Sequence, residues 1–248
     1  MRALVPAPAD PVNVHDVYAD GWLAFGGIRG NFVGSVDGAA STAGLSRGLQ
    51  TPGDNLVFAT LRDLADVVLV GAGTARAEGY RAARLSPARQ ELRRSYGLAP
   101  TLPIAVVSRS AQLDPGSDLF RNTDPASRTI VITCATADTT AQQALHPVAD
   151  VVLCGDETVE LSAVRSTLVA RGLTRIVCEG GPTLFADLVR SGEVDELCLS
   201  ITPLLAGPGP GRITAGVVWP DDPTPLTLVG LLEQDGALFG RYLIARSS

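Results

Sequence analysis

TRIVCEGGPTLFADLVRSGEVDELCLSITPLL, residues 174–205, is the stretch on which the fold turns. Its β-branched start reads as a buried strand that runs into Gly180 and Gly181. Pro182 then opens a helix, at a position where its missing N–H costs nothing. VDELCLSITPLL alternates polar and apolar residues, the pattern of a half-buried strand.

The same alternation extends upstream. ADVVLVGAGT, LPIAVVSRS, RTIVITC and ADVVLCG are short, β-branched and bounded by turn residues, and a first strand is expected near 31–36. TPGDNLVFATLRDLA reads as a helix capped by Thr51, with Pro52 in its first turn and Leu56, Phe58, Leu61 and Leu64 giving much of its apolar content. VELSAVRSTLVARG is a second helix, stopped by Gly172. PLTLVGLLEQDG and ALFGRYLIARSS form a terminal antiparallel hairpin turning at Asp235-Gly236. Buried strands alternating with helices give an α/β class, with a mostly parallel sheet covered on both faces and an antiparallel edge. Residues 1–21, rich in Pro and Ala, read as an N-terminal arm, and 22–248 as a single domain. Residues 81–100, rich in Arg, Ala and Pro, read as a surface excursion.

The whole composition narrows the function. The 248 residues are 46% hydrophobic and 19% charged, enough for a sizeable core and unlike a disordered chain. A net charge of -6 leaves no basic footprint for nucleic acid. No apolar run is long enough to span a membrane, and MRALVPAPADPV lacks the apolar core of a signal peptide, so the cytoplasm is expected. Cys134, Cys154, Cys178 and Cys198 sit in apolar β-rich runs without metal-ligand spacing and read as buried, reduced thiols. His15 and His146 have no useful companions and read as surface residues, and no metal site is expected.

Four short motifs carry chemistry. GAGT, Gly71–Thr74, follows a strand, where glycines let backbone N–H groups approach a phosphate; they also serve close packing. EGGPTL, Glu179–Leu184, joins a strand to a helix N-terminus and offers a pyrophosphate site, without the G-x-G-x-x-G pattern. Two such turns point to a dinucleotide laid across the strand ends. Ser108-Arg109 in VVSRS pairs a hydroxyl with a planar cationic fork suited to a 2′-phosphate, or is a solvated loop end. Asp37 in SVDG can grip ring N–H groups or sugar hydroxyls, or cap its own turn.

Taken in order, NFVGSVDG, TPGDNLVFATLRDLADVVLVGAGTARAEGY, VVSRS and IVCEGGPTLFADLVRSGEVDELCLSITPLLAG resemble the reductase domain of bacterial riboflavin biosynthesis. Within that family the chain is similar to an actinobacterial stand-alone pyrimidine reductase branch. The resemblance implies a dihydrofolate-reductase-like fold and NADPH-dependent reduction of 5-amino-6-(5-phosphoribosylamino)uracil. It implies that Gly71, Gly73, Thr74, Gly180, Gly181, Thr183 and Leu184 line the cofactor diphosphate and ribose, and that Ser108 and Arg109 meet the 2′-phosphate. Asp37, Thr51, Arg62 and Glu179 are expected to face substrate, with Asp37 or Glu179 as catalytic proton donor, unless water serves. Related reductases pair through apolar sheet edges like VDELCLSI and the terminal hairpin, so a homodimer is expected.

The chain departs from the family twice. Glu78-Gly79-Tyr80 stands where an acidic D-D-P is usual, leaving Glu78 as the substrate-facing carboxylate there. H-x-E and P-C-x-x-C of the zinc deaminase half are absent, so a monofunctional enzyme is expected. The alternatives are a dihydrofolate or pterin reductase on the same fold, or a non-catalytic NADPH-binding regulatory protein.

Overall fold

The computed structural model describes residues 1–121, 124–209, 211–216 and 222–245. The first half of the chain forms β1 (Arg2–Val5), α1 (Val14–Ala19), α2 (Trp22–Phe25), β2 (Gly27–Ser35), α3 (Pro52–Asp63), β3 (Val67–Gly71), α4 (Ala72–Ala77), α5 (Pro87–Ser95) and β4 (Ile104–Val107). The second half adds β5 (Ile130–Thr133), α6 (Thr139–Leu145), β6 (Asp150–Leu153), α7 (Leu161–Ala170), β7 (Arg175–Cys178), α8 (Pro182–Arg190), β8 (Glu196–Thr202), β9 (Leu226–Gln234) and β10 (Ala237–Ile244). The backbone packs as two compact units, Met1–Leu64 with Val177–Ser248, and Ala65–Ile176.

In the first unit the strands run in the order β1-β9-β10-β8-β2. β2 and β8 are parallel, from Arg29 opposite Glu196 to Ser35 opposite Thr202. β8, β10, β9 and β1 then pair antiparallel. The β9–β10 turn falls at Asp235 and Gly236, both with positive φ, as a two-residue hairpin of matching twist requires. α3 begins as the sequence indicates: Thr51 Oγ1 accepts the Asp54 N–H at 3.1 Å, and Pro52 occupies the first turn. Glycine at 53 lets this helix close on the Phe239 ring. On α8, Phe185 stacks on Phe32 with ring centroids 4.5 Å apart, and a Cβ at Gly30 would run into the Phe185 ring.

Residues 1–21 are not a free arm. β1 adds an edge strand along β9, Ala3 lying opposite Leu232. Asn13 caps α1 by accepting the His15 N–H at 3.0 Å, and Tyr18 is 1% exposed. His15 is likewise drawn inward, its Nε2 3.2 Å from the buried Asp63 carboxylate. The segment docks through charge. Arg29 and Arg241 both hold Glu196 at 2.7 Å, while Arg29 donates to the Tyr18 carbonyl and Arg241 to those of Val17 and Asp20. The Arg29 guanidinium also lies 4.1 Å from the Trp22 ring centroid.

The second unit is a parallel sheet, β3-β4-β5-β6. α5 occupies part of the expected surface excursion over 81–100, opened by Ser86 as cap and Pro87. Its Arg93 is fully buried and donates to the carbonyls of Ala65, Ala99 and Thr101 at 2.7–2.8 Å. An arginine run reads as solvated surface, and sequence alone does not reveal that one member satisfies three buried carbonyls. α6, capped by Asp138, was equally hidden by its polar composition. All four cysteines are buried free thiols; burial pushes Cys178 up to about 12. Among the described residues no cluster could hold a metal, and no helix is long and apolar enough to cross a membrane.

Glu196 answers two buried guanidiniums. Although burial pushes its carboxyl up, Arg29 and Arg241 hold it below the usual range. Glu196→Gln should therefore destabilise the protein by about 3–5 kcal/mol in urea unfolding, because it leaves buried positive charge uncompensated. A loss below about 1 kcal/mol would show the cluster to be dispensable.

Candidate active site

Asp37, Thr51, Arg62 and Glu179 lie on the first unit's β2 turn, α3 and β7–α8 turn, and the structure joins two of them, Arg62 and Glu179. Glu179, 8% exposed, receives two parallel bonds from Arg62: Nε to Oε1 and Nη2 to Oε2, each 2.7 Å. The Arg62 guanidinium also lies 4.4 Å from the Phe58 ring centroid, so stacking on its own helix fixes the fork. Thr51, at the start of the same helix, spends its oxygen on the cap.

Asp37 lies in the turn after β2 and is solvent-exposed. Its carboxylate accepts the Ser35 hydroxyl, the Ala206 N–H at 3.1 Å and the Gly207 N–H at 2.8 Å. The Ser35 bond first, then the two backbone bonds, bring its carboxyl down to about 2. Two further bonds, Val36 N–H to the Leu204 carbonyl and Ala40 N–H to that of Gly211, fasten the β8–β9 connection along the same turn. These contacts bear on the expectation that Asp37 or Glu179 donates a proton. Asp37 stays ionised through the neutral range, and Glu179 has both oxygens taken by the Arg62 guanidinium.

Within EGGPTL the two glycines differ. Gly180 has φ +97, and a Cβ there would press on the Phe32 ring at 3.3 Å. Gly181 is extended (φ −70, ψ 179) and is the N-cap of α8, its carbonyl accepting the Phe185 N–H at 2.9 Å. The positive φ therefore belongs to Gly180. The Thr183 and Leu184 N–H groups, in the first turn, have no intrahelical acceptor. Thr183 is exposed, whereas the Leu184 side chain is in the core, which leaves Leu184 only its backbone to offer a ligand.

In the second unit, Gly71 ends β3 and caps α4, so GAGT is the opening of a helix rather than a free turn. Nothing in the chain demands glycine at 73: its φ is not left-handed, and a Cβ would meet nothing within 4 Å. Glu78 caps the far end of α4, its N–H donating to the Thr74 carbonyl at 2.9 Å, and Gly79 (φ +65) follows as the left-handed terminator. The Glu-Gly-Tyr departure thus has a local cause in how α4 ends. Ser108 follows β4, buried, its N–H on the Ile132 carbonyl at 2.9 Å. Arg109 is exposed; its carbonyl accepts from Thr133 and Cys134, and its guanidinium pairs with no acid among the described residues.

Sequence reasoning passed over Asp54. It lies one turn into α3, 5% exposed, and pairs with no cation among the described residues. Burial raises its carboxyl, opposed by the Ser200 hydroxyl. Ser200 Oγ, on β8, completes no hydrogen bond of good geometry. The only sequence signal was an acid in the first turn of a helix, where an acid is ordinary.

Residues 28–231 match the model of the RibD C-terminal domain. The 2,5-diamino-6-ribosylamino-4(3H)-pyrimidinone 5′-phosphate reductase of Archaeoglobus fulgidus is 30% identical over 178 residues, 71% of this chain and 80% of the relative. The protein of the same description from Methanothermobacter thermautotrophicus is 27% identical, covering 70% of this chain and 76% of that one. Among solved structures, a pyrimidine reductase-like protein from Corynebacterium diphtheriae superposes with a TM-score of 0.86 at 27% identity, covering 95% of this chain and 100% of that one. The α/β fold with a mostly parallel sheet and antiparallel strands is thus shared with such a reductase, and the chain belongs to the RibD C-terminal domain family.

Proposed function

We propose that the protein is an NADPH-dependent reductase of an aminopyrimidine ribosyl phosphate in riboflavin biosynthesis. The observation that carries this reading is the family match over residues 28–231, which takes in every site residue from Asp37 to Leu184. The expected uracil substrate and the compound named for the two archaeal relatives differ at ring position 2, oxo in one and amino in the other.

The residues present fit a phosphorylated dinucleotide. Glycine at 73, unneeded by packing or backbone, leaves room for a phosphate or ribose beside Gly71 and Thr74. Gly180 and Gly181 lead into the Thr183 and Leu184 N–H groups, donors of the kind that hold a diphosphate. Ser108 and the acid-free Arg109 guanidinium take the 2′-phosphate.

When bound, the nicotinamide supplies a hydride to the ribose carbon of the substrate's C=N form, and a proton completes the CH–NH product. Asp37, Thr51, Arg62 and Glu78 face the substrate, and Glu179 acts by orienting Arg62. With Asp37 held ionised and Glu179 committed to Arg62, the proton comes from water.

Absorbance at 340 nm should fall when NADPH and either pyrimidine substrate are mixed with the protein. Tight NADPH binding without any turnover would instead favour a regulatory binding protein. Arg109→Ala should raise the KM for NADPH by about tenfold or more and leave that for NADH nearly unchanged, the scale of one charged hydrogen bond. Equal losses with both cofactors would remove Arg109 from the 2′-phosphate site.

The Asp37 carboxyl predicts a second measurement. A depressed folded pKa means that its contribution is complete above the ordinary carboxylate range and is lost as pH falls toward about 2. The Ala206 and Gly207 amide resonances should therefore shift together with a midpoint near that value, and Asp37→Asn should abolish the shift. A midpoint near the ordinary aspartate value of about 4 would contradict the clasp.

The hairpin leaves Leu226, Leu228 and Leu243 between 40% and 46% exposed, which supports a homodimer through this sheet region. Light scattering at micromolar concentration should return twice the chain mass of 25.7 kDa; a monomer would refute the pairing.

A further inference from the structure

We infer that Asp37 is a positioning residue: it clasps the β8–β9 connection, which is tied in turn to the first residue of α8, and so retains the cofactor at that end of the site. The inference rests on the reductase reading above and adds to it a means of holding NADPH.

The connection runs from Pro203 to Pro225, and its described residues form neither helix nor strand. Connections of that length without secondary structure are uncommon in a compact unit and tend to serve a site. Apolar burial does not hold this one down, since Leu204 is 45% and Leu205 82% exposed. Hydrogen bonds do. The Leu204 and Gly211 carbonyls accept the Val36 and Ala40 N–H groups, and the Ala206 and Gly207 N–H groups end on the Asp37 carboxylate. Further along, the Ala215 N–H donates to the Pro182 carbonyl at 3.1 Å. The same connection is therefore tied first to the β2 turn and then to the residue that opens α8.

Asp37 is the strongest of these anchors, because an N–H bond to a carboxylate is worth roughly twice a neutral one. Ser35 fixes the acid on the β2 side: its hydroxyl donates to Oδ1 and accepts the Ala39 N–H at 3.0 Å. On the other side Gly207 bends to the carboxylate with φ +77, a conformation open to it for want of a Cβ. Three donors thus occupy the two oxygens of Asp37, and its effect on the cofactor runs through the connection rather than by contact. Pro182 immediately precedes Thr183 and Leu184, whose N–H groups are those proposed for the diphosphate. With the clasp open, only neutral backbone bonds keep the connection on the β2 turn and on Pro182, and such a segment opens locally at small cost.

The test uses the whole protein, NADPH and two variants that open the clasp from opposite sides. Asp37→Asn keeps one acceptor oxygen and turns an amide N–H toward a backbone N–H. Ala206→Pro removes one donor and leaves the acid in place. In each, hydrogen exchange at the Gly207 amide should quicken without cofactor, and NADPH should dissociate about tenfold faster in stopped-flow fluorescence, the scale of one charged hydrogen bond. In Ala206→Pro the KM for NADPH should rise while kcat and the KM for the pyrimidine stay within about twofold. Linkage requires the converse in the unaltered protein, where NADPH should slow exchange at the Ala206 and Gly207 amides. Unchanged exchange, faster exchange with unchanged NADPH dissociation, or a rise confined to the KM for the pyrimidine would overturn the inference and leave the reductase reading standing. Should both variants fail to fold, the exchange measurement on the unaltered protein decides alone. An unaltered protein that binds no NADPH would overturn the reductase reading and this inference with it.

Discussion

The bidentate contact between Arg62 and Glu179 is the constraint on which the first unit's site depends. It ties α3 to the last residue before the glycines of the β7–α8 turn. Glu179 is nearly buried, so its charge must be met, and a planar fork meets both oxygens at once. Because the fork also stacks on Phe58, the carboxylate has little freedom to move, and neither has the backbone that follows it. Gly180 then takes a left-handed conformation against Phe32, and α8 starts at Gly181 with its first N–H groups unspent. The placing of these N–H groups thus depends on an ion pair one residue before the glycines.

Much of this architecture is legible in the sequence, because its signals are local. Thr51 and Pro52 announce α3, Gly172 ends α7, and Asp235-Gly236 sets the hairpin, each through the conformational demand of one or two residues. What stayed hidden depends on burial and on partners that no local pattern marks. Arg93 looks like one more surface arginine until three carbonyls surround it. Residues 1–21 look like an arm because Pro dominates their composition, yet Tyr18 and two carbonyl-bound guanidiniums hold them against the sheet. Asp54 looks like a first-turn acid, and only burial without a cation distinguishes it.

The two glycine-rich turns show how one sequence signal covers different physics. GAGT and EGGPTL both place glycines after a buried strand. At Gly180 the glycine is required by the chain itself, through a positive φ and the Phe32 ring. At Gly73 neither conformation nor packing asks for it. A glycine that the fold requires says little about ligands. A glycine that the fold does not require is informative, because the remaining reason to omit a side chain is something outside the chain that comes close.

Three acids in the first unit also show why residue type alone could not assign roles. Asp37 is exposed and yet firmly ionised, since a hydroxyl and two backbone N–H groups converge on it. Glu179 is buried and neutralised by its fork. Asp54 is buried with no such relief, so burial acts on it almost unopposed. A proton donor to a C=N bond must hold a proton near neutral pH and release it on demand. Asp37, held at about 2, fails on the first condition. Glu179 has both oxygens taken up by the Arg62 fork, and Asp54 is the acid on which burial works against the charged form.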